Sequence, residues 1–120
     1  MKIASILLFM MSLASSAAAG HLHPERYYQE RWCNEIGGQM EVVLDDGTRV
    51  DCLTDEYAVE VDFAKKWAEG IGQALYYAEK TGRRPGVLLI MENDKDARYL
   101  DRLDVVADEY LIQVWTTGGD

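Results

Sequence analysis

Residues 58–67 read AVEVDFAKKW: an apolar strand, Ala58, Val59, Val61 and Phe63, that carries Glu60 and Asp62, with Lys65 and Lys66 directly behind. Charge inside an apolar strand is costly unless it is paired, solvated or metal-bound. The strand period of two puts Glu60 and Asp62 on one face with Ala58, opposite Tyr57, Val59, Val61 and Phe63. On the strand before it, the same period groups Asp51 with Arg49 and Leu53, opposite Val50 and Cys52. Carboxylates that face the same way from adjacent strands bind a hard divalent cation such as Mg²⁺ or Mn²⁺. Such an ion activates water and stabilises charge in phosphate ester hydrolysis. Lys66 or Lys65 would then orient water or steady that charge. The plainer alternative is the solvated face of an edge hairpin.

The elements that must position these groups are legible in order. PERYYQERWCNEIGG reads as a helix, with Pro24 at its first position, Gly37-Gly38 past its end and Tyr28, Trp32 and Ile36 in one stripe. Met40–Leu44 and Thr48–Leu53 flank the hairpin signal Asp46-Gly47. Tyr57–Phe63 is a third strand. From Phe63 to Gly82 the spacing predicts a helix with a broad apolar sector, Lys66, Gly70, Gln73 and Tyr77 along one edge of it, and Lys65 turned to solvent. Tyr76, Tyr77, Trp67 and Trp32 fall at core spacing. PGVLLIME is a buried strand, DKDARYLDRLDVVADEY an amphipathic helix, and YLIQVWT a last strand. The order αβββαβαβ predicts an α/β fold, a mixed sheet covered on both faces by helices.

The run from GTRVDCL through AVEVDFAKKWAEGIGQALYYAEKTGRRPGVLLI resembles the PD-(D/E)XK nuclease superfamily, closest to Holliday junction resolvase-like and RecB-like cores. The resemblance covers residues 25–92. It implies a restriction-endonuclease-like αβββαβ core followed here by one more helix and strand. It implies Asp51 as the acid of the second strand, Glu60 as that of the third, and Gln73 and Tyr77 as the helix pair facing the site. Glu30 resembles the acid found on the first helix. The metal set implied is Asp51 and Glu60 with Asp62 assisting, holding Mg²⁺ or Mn²⁺. One departure is specific: the usual lysine, two residues after Glu60, is Asp62 here, and Lys66 is the best replacement.

Residues 1–19 carry one basic residue, Lys2, an apolar run and Ala17-Ala18-Ala19, which is the grammar of a signal peptide. The expectation is an exported domain, periplasmic or secreted, over residues 20–120, with no membrane association after cleavage. Cys33 and Cys52 are the only cysteines, and in an exported chain an even pair reads as a disulfide. His21 and His23 lie in an N-terminal tail expected to be mobile, where a free amine would let them chelate copper or nickel. With no other histidine in the chain, no Ser/His/Asp triad can be assembled.

The net charge is −9, and −10 without the leader. Such a chain repels phosphate backbones at long range unless Lys65, Lys66, Lys80, Arg83 and Arg84 gather on one side. Two functions therefore compete. One is an exported Mg²⁺-dependent nuclease or phosphodiesterase acting on nucleic acid. The other is a catalytically inactive binding or inhibitor protein on the same fold, with a protein partner.

Overall fold

Among the described residues, three helices and five strands follow one another as the hydrophobic periods require: α1 Glu25–Glu35, β1 Gln39–Val43, β2 Arg49–Leu53, β3 Tyr57–Phe63, α2 Trp67–Thr81, β4 Arg84–Ile90, α3 Ala97–Tyr110 and β5 Gln113–Thr117. The computed structural model describes residues 20–119, so the leader expected at residues 1–19 lies outside the described residues. The strands form one mixed sheet in the order β1-β2-β3-β4-β5. β1, β2 and β3 pair antiparallel, while β3-β4 and β4-β5 are parallel, each parallel step crossing through a helix.

The parallel strands alternate cleanly between two covered faces. Val59 and Val61 of β3 and Leu88 and Ile90 of β4 pack with Tyr28 and Cys33 of α1. Val87 and Leu89 face the other way, onto Ala74 of α2 and Leu103 and Ala107 of α3. Trp115 of β5 lies against Trp32 and Tyr57 on the α1 side, with ring centroids 5.0 Å from each. Among the described residues no helix is long and apolar enough to cross a membrane.

Cys33 and Cys52 are joined in a disulfide that ties α1 to β2. The backbone of Gly38 passes directly beside it: a Cβ there would lie 2.5 Å from the Cys52 sulfur and 2.8 Å from that of Cys33. Only a residue without a side chain lets β1 start so close to the bridge.

Several local expectations are corrected. Pro24 is the N-cap of α1, one residue before the first helical position. Ile36 lies just past the helix and is exposed, because the chain turns toward β1 there. Lys66 closes a separate 3₁₀ turn, Ala64–Lys66, which precedes α2. Tyr76 is exposed and bonds Asp46 of the hairpin loop, whereas Tyr77 is buried.

The alternation of β2 also fails, at Asp51. Cys52 faces α1, as its disulfide demands, but Val50 packs with Ala58 and Tyr77 on the α2 side. Two distortions account for it. Glu41, opposite on β1, adopts a left-handed conformation with φ 55°. The β2-β3 pairing, in register at Cys52-Val59 and Leu53-Ala58, ends there.

Candidate functional site

Where β2 and β3 separate, the Asp51 side chain replaces the lost ladder bond. Its Oδ2 accepts the Val61 amide at 2.8 Å, and its own amide lies 3.5 Å from Glu60 Oε1. On β3, Glu60 and Asp62 are 3% and 8% exposed. That burial removes the reading of a solvated hairpin face. Three carboxylates are held in a low-dielectric region by the sheet on one side and α2 on the other.

Burial is the first cause of their perturbed acidity. It pushes Glu60 up to about 9, helped by the charge of Asp51 and by a hydrogen bond that a protonated Glu60 donates to Asp51. It raises Asp51 as well, against the lowering effect of the Val61 amide and the Glu60 carboxyl. It raises Asp62 to about 7, together with Glu25, Asp51 and Glu69, while Lys66 acts the other way. Like charges in a dry site disfavour one another's ionisation, and that is the pattern here.

Asp62 Oδ2 is the one buried side-chain oxygen without a hydrogen-bond partner among the described residues. It lies beneath Gly70 of α2, where a Cβ would approach it to 2.6 Å. An unpaired buried carboxylate oxygen costs more than an ordinary buried polar atom, so its retention points to a use.

The first helix supplies two residues that the sequence reading missed. Glu25, at its N-terminus, is raised by burial and by Asp51 and Glu41, and lowered by Lys66 and His21. Gln29 is buried and donates to the Asp51 carbonyl at 2.9 Å and to Glu41 Oε1 at 3.0 Å. Glu30, the expected first-helix acid, is exposed. The available signal was the face defined by Tyr28 and Cys33: Gln29 lies between them and Glu25 is one turn before it.

The other expected residues divide. Lys66 is exposed on the 3₁₀ turn, and its charge acts to lower both Asp62 and Glu25. Tyr77 packs on Val50 and Ala58; burial raises its hydroxyl's pKa, as do the charges of Glu60 and Asp51, while the Arg49 backbone and Thr48 act the other way. Gln73 is exposed and makes no side-chain hydrogen bond among the described residues. The basic residues that would have to gather on one side to favour a phosphate backbone do not do so. Lys80 pairs with Asp45 at 3.2 Å and Arg84 with Glu56 at 2.8 Å, at the opposite end of the sheet from Lys65 and Lys66.

Among the described residues no group of three or more His, Cys, Asp or Glu is arranged to hold a metal ion. Asp51, Glu60 and Asp62 are thus not gathered as a three-carboxylate set, and His21 bonds Glu92 and stacks on Phe63. What comes together is the Asp51–Glu60 pair, with Asp62 facing it electrostatically. Comparison with family models, curated proteins and solved structures finds no match for this chain.

Proposed function

We propose that this chain is an exported, metal-dependent nuclease or phosphodiesterase of the PD-(D/E)XK type. The observation that carries the reading is the convergence of Asp51 and Glu60, from adjacent strands: Asp51 Oδ2 accepts the Val61 amide, and Oε1 of the buried Glu60 lies 3.5 Å from the Asp51 amide. Mg²⁺ typically takes only one or two protein carboxylates and fills its remaining positions with water and substrate phosphate. The Asp51–Glu60 pair fits that donor set, and Mn²⁺ suits it equally. When bound, the ion would supply Lewis-acid stabilisation of charge on a phosphoryl oxygen.

The chain's own residues then have distinct tasks. Gln29 and the Val61 amide hold Asp51 in place from its two sides. Lys66 brings a positive charge to the site in place of the lysine that Asp62 displaces. Gly70 leaves the room that the Asp62 carboxylate occupies. Tyr77 supports the hairpin by packing. Export agrees with the leader-like residues 1–19 and with the disulfide, a bond that persists in oxidising compartments.

The test is hydrolysis of single- and double-stranded DNA and RNA by the purified protein with Mg²⁺ or Mn²⁺. Asp51→Ala and Glu60→Ala should each lower the rate at least about 100-fold, in line with loss of a metal's electrostatic contribution, and leave circular dichroism unchanged. Undiminished hydrolysis in both variants contradicts the assignment. A second reading, a non-catalytic binding or inhibitor protein, is favoured by Asp62 at the lysine position and by the charge of −9. A folded wild type that binds a divalent ion but cuts none of these substrates selects that reading.

A further inference from the structure

A cavity of about 400 Å³ opens at the carboxyl ends of β3 and β4, beyond Phe63 and Ile90. Lys65, Lys95 and Arg98 line it, together with Tyr99 and His21. In a chain of net charge −9, a cavity with three basic side chains needs an explanation. Its two acids offset part of that charge, but neither forms an ion pair with the three cations, and both carboxylates are held by other donors. Glu92 accepts from His21 Nδ1 at 2.6 Å, Tyr28 Oη at 2.6 Å and the Leu22 and His23 amides at 2.8 and 3.4 Å. Asp96 Oδ2 accepts the amides of Glu92 and Asn93 at 3.0 and 3.3 Å. Among the described residues, Lys65, Lys95 and Arg98 form no ion pair.

One of the cations is held in place by its neighbour in the chain. The Arg98 guanidinium lies 4.7 Å from the Tyr99 ring centroid and donates to its hydroxyl at 2.9 Å. The His21 ring stacks on Phe63 with centroids 3.4 Å apart, which fixes one wall. The carboxyl ends of parallel strands are where open α/β sheets bind ligands. The volume lies within the range of small-molecule pockets and is too small for a duplex. Lysine and arginine together suit a phosphate group.

We propose that this cavity is a phosphate subsite that takes a nucleotide, either free or at the end of a single strand. The choice of a nucleotide over other phosphates rests on the nuclease reading; the anion binding rests on the cavity alone. Lys65 also links the two sites, since Phe63–Lys65 lies between Asp62 and Lys66 in the chain.

The experiment is calorimetric titration of the purified protein in EDTA with inorganic phosphate, 5′-dTMP, thymidine and a 5′-phosphorylated dT₄. Removing divalent ions silences the carboxylate site. The expected result is saturable binding of dTMP, tighter than phosphate, with no binding of thymidine. Affinity should weaken with salt, as displacement of counterions requires. Lys95→Ala with Arg98→Ala should weaken dTMP at least tenfold, and Lys80→Ala, at the far end of the sheet, should not. If dT₄ binds more tightly than dTMP, a strand end is the occupant; if equally, the free nucleotide is. Failure of dTMP to saturate, equal binding of thymidine, or an unchanged double variant overturns the proposal. Phosphate binding without hydrolysis in the Mg²⁺ assay would leave the subsite standing and remove the enzyme, and hydrolysis without dTMP binding would do the reverse.

Discussion

Gly70 leaves the space beside the buried Asp62 carboxyl, and the two can be tested as a pair. Alanine favours a helix interior over glycine by about 1 kcal/mol. At position 70 that gain meets a Cβ 2.6 Å from a buried carboxylate oxygen. Overpacking of this kind costs about 1–3 kcal/mol, so Gly70→Ala should destabilise the protein in urea unfolding. Asp62→Ala removes the oxygen, so the double variant should show strong coupling and recover the helix gain. A Gly70→Ala protein more stable than wild type would refute the contact. At this scale the shared face of Glu60 and Asp62 was legible from the period of two. The setting of Asp51 was not. It depends on a left-handed Glu41 and on a side chain that substitutes for a ladder bond, and neither leaves a pattern in β2. Glu25 and Gln29 were missed for a related reason: which face of α1 turns inward is fixed by packing on the sheet.

Elements came out in the order that hydrophobic periodicity dictates, because each of the long segments has one clear period. Their joints were less legible. Lys66 sits in a 3₁₀ turn rather than on the stripe of α2, and the tail expected to be mobile is docked through Glu92. Two predictions belong here. The disulfide closes a loop of 19 residues between α1 and β2, so Cys33→Ala with Cys52→Ala should cost about 3 kcal/mol on the loop-entropy account. Unfolding free energy checks it, and a loss well under 1 kcal/mol would mean that α1 is held without the bridge. The second concerns pH. Burial tends to raise Glu92, but the bonds from Tyr28, His21 and the Leu22 and His23 amides outweigh it and hold its pKa below the ordinary 4.5. A depressed carboxylate stabilises the fold above its unfolded pKa and loses that contribution as pH falls through its folded one. Hydrogen exchange at the Leu22 amide should therefore stay slow above about pH 4.5 and accelerate in stronger acid, after correction for intrinsic rates. Glu92→Ala should abolish the protection at every pH. Protection that persists in Glu92→Ala would show that the tail docks by its aromatic stacking alone.

At the scale of the molecule, the charge of −9 is unevenly spent. Lys80 and Arg84 are paired at one end of the sheet, while Lys65, Lys95 and Arg98 stand together at the other. Net charge is legible in a sequence, but this division is not, because residues 65 and 95–98 meet only through the β3-α2-β4 crossover. The acidic total argues against tight duplex binding, and the basic cavity supplies a local exception suited to a small phosphate. The α/β architecture, the mixed sheet and the helices on both faces follow from the sequence pattern, since a sheet with parallel strands must be covered twice. Whether the protein is an enzyme turns on the two carboxylates of β2 and β3. The most direct measurement is calorimetric titration of the purified protein with Mg²⁺ and Mn²⁺, in parallel with Asp51→Asn and Glu60→Gln. The account predicts one divalent site in the wild type, weakened at least tenfold in each variant. No divalent binding in the folded wild type, or equal binding in all three proteins, would contradict it.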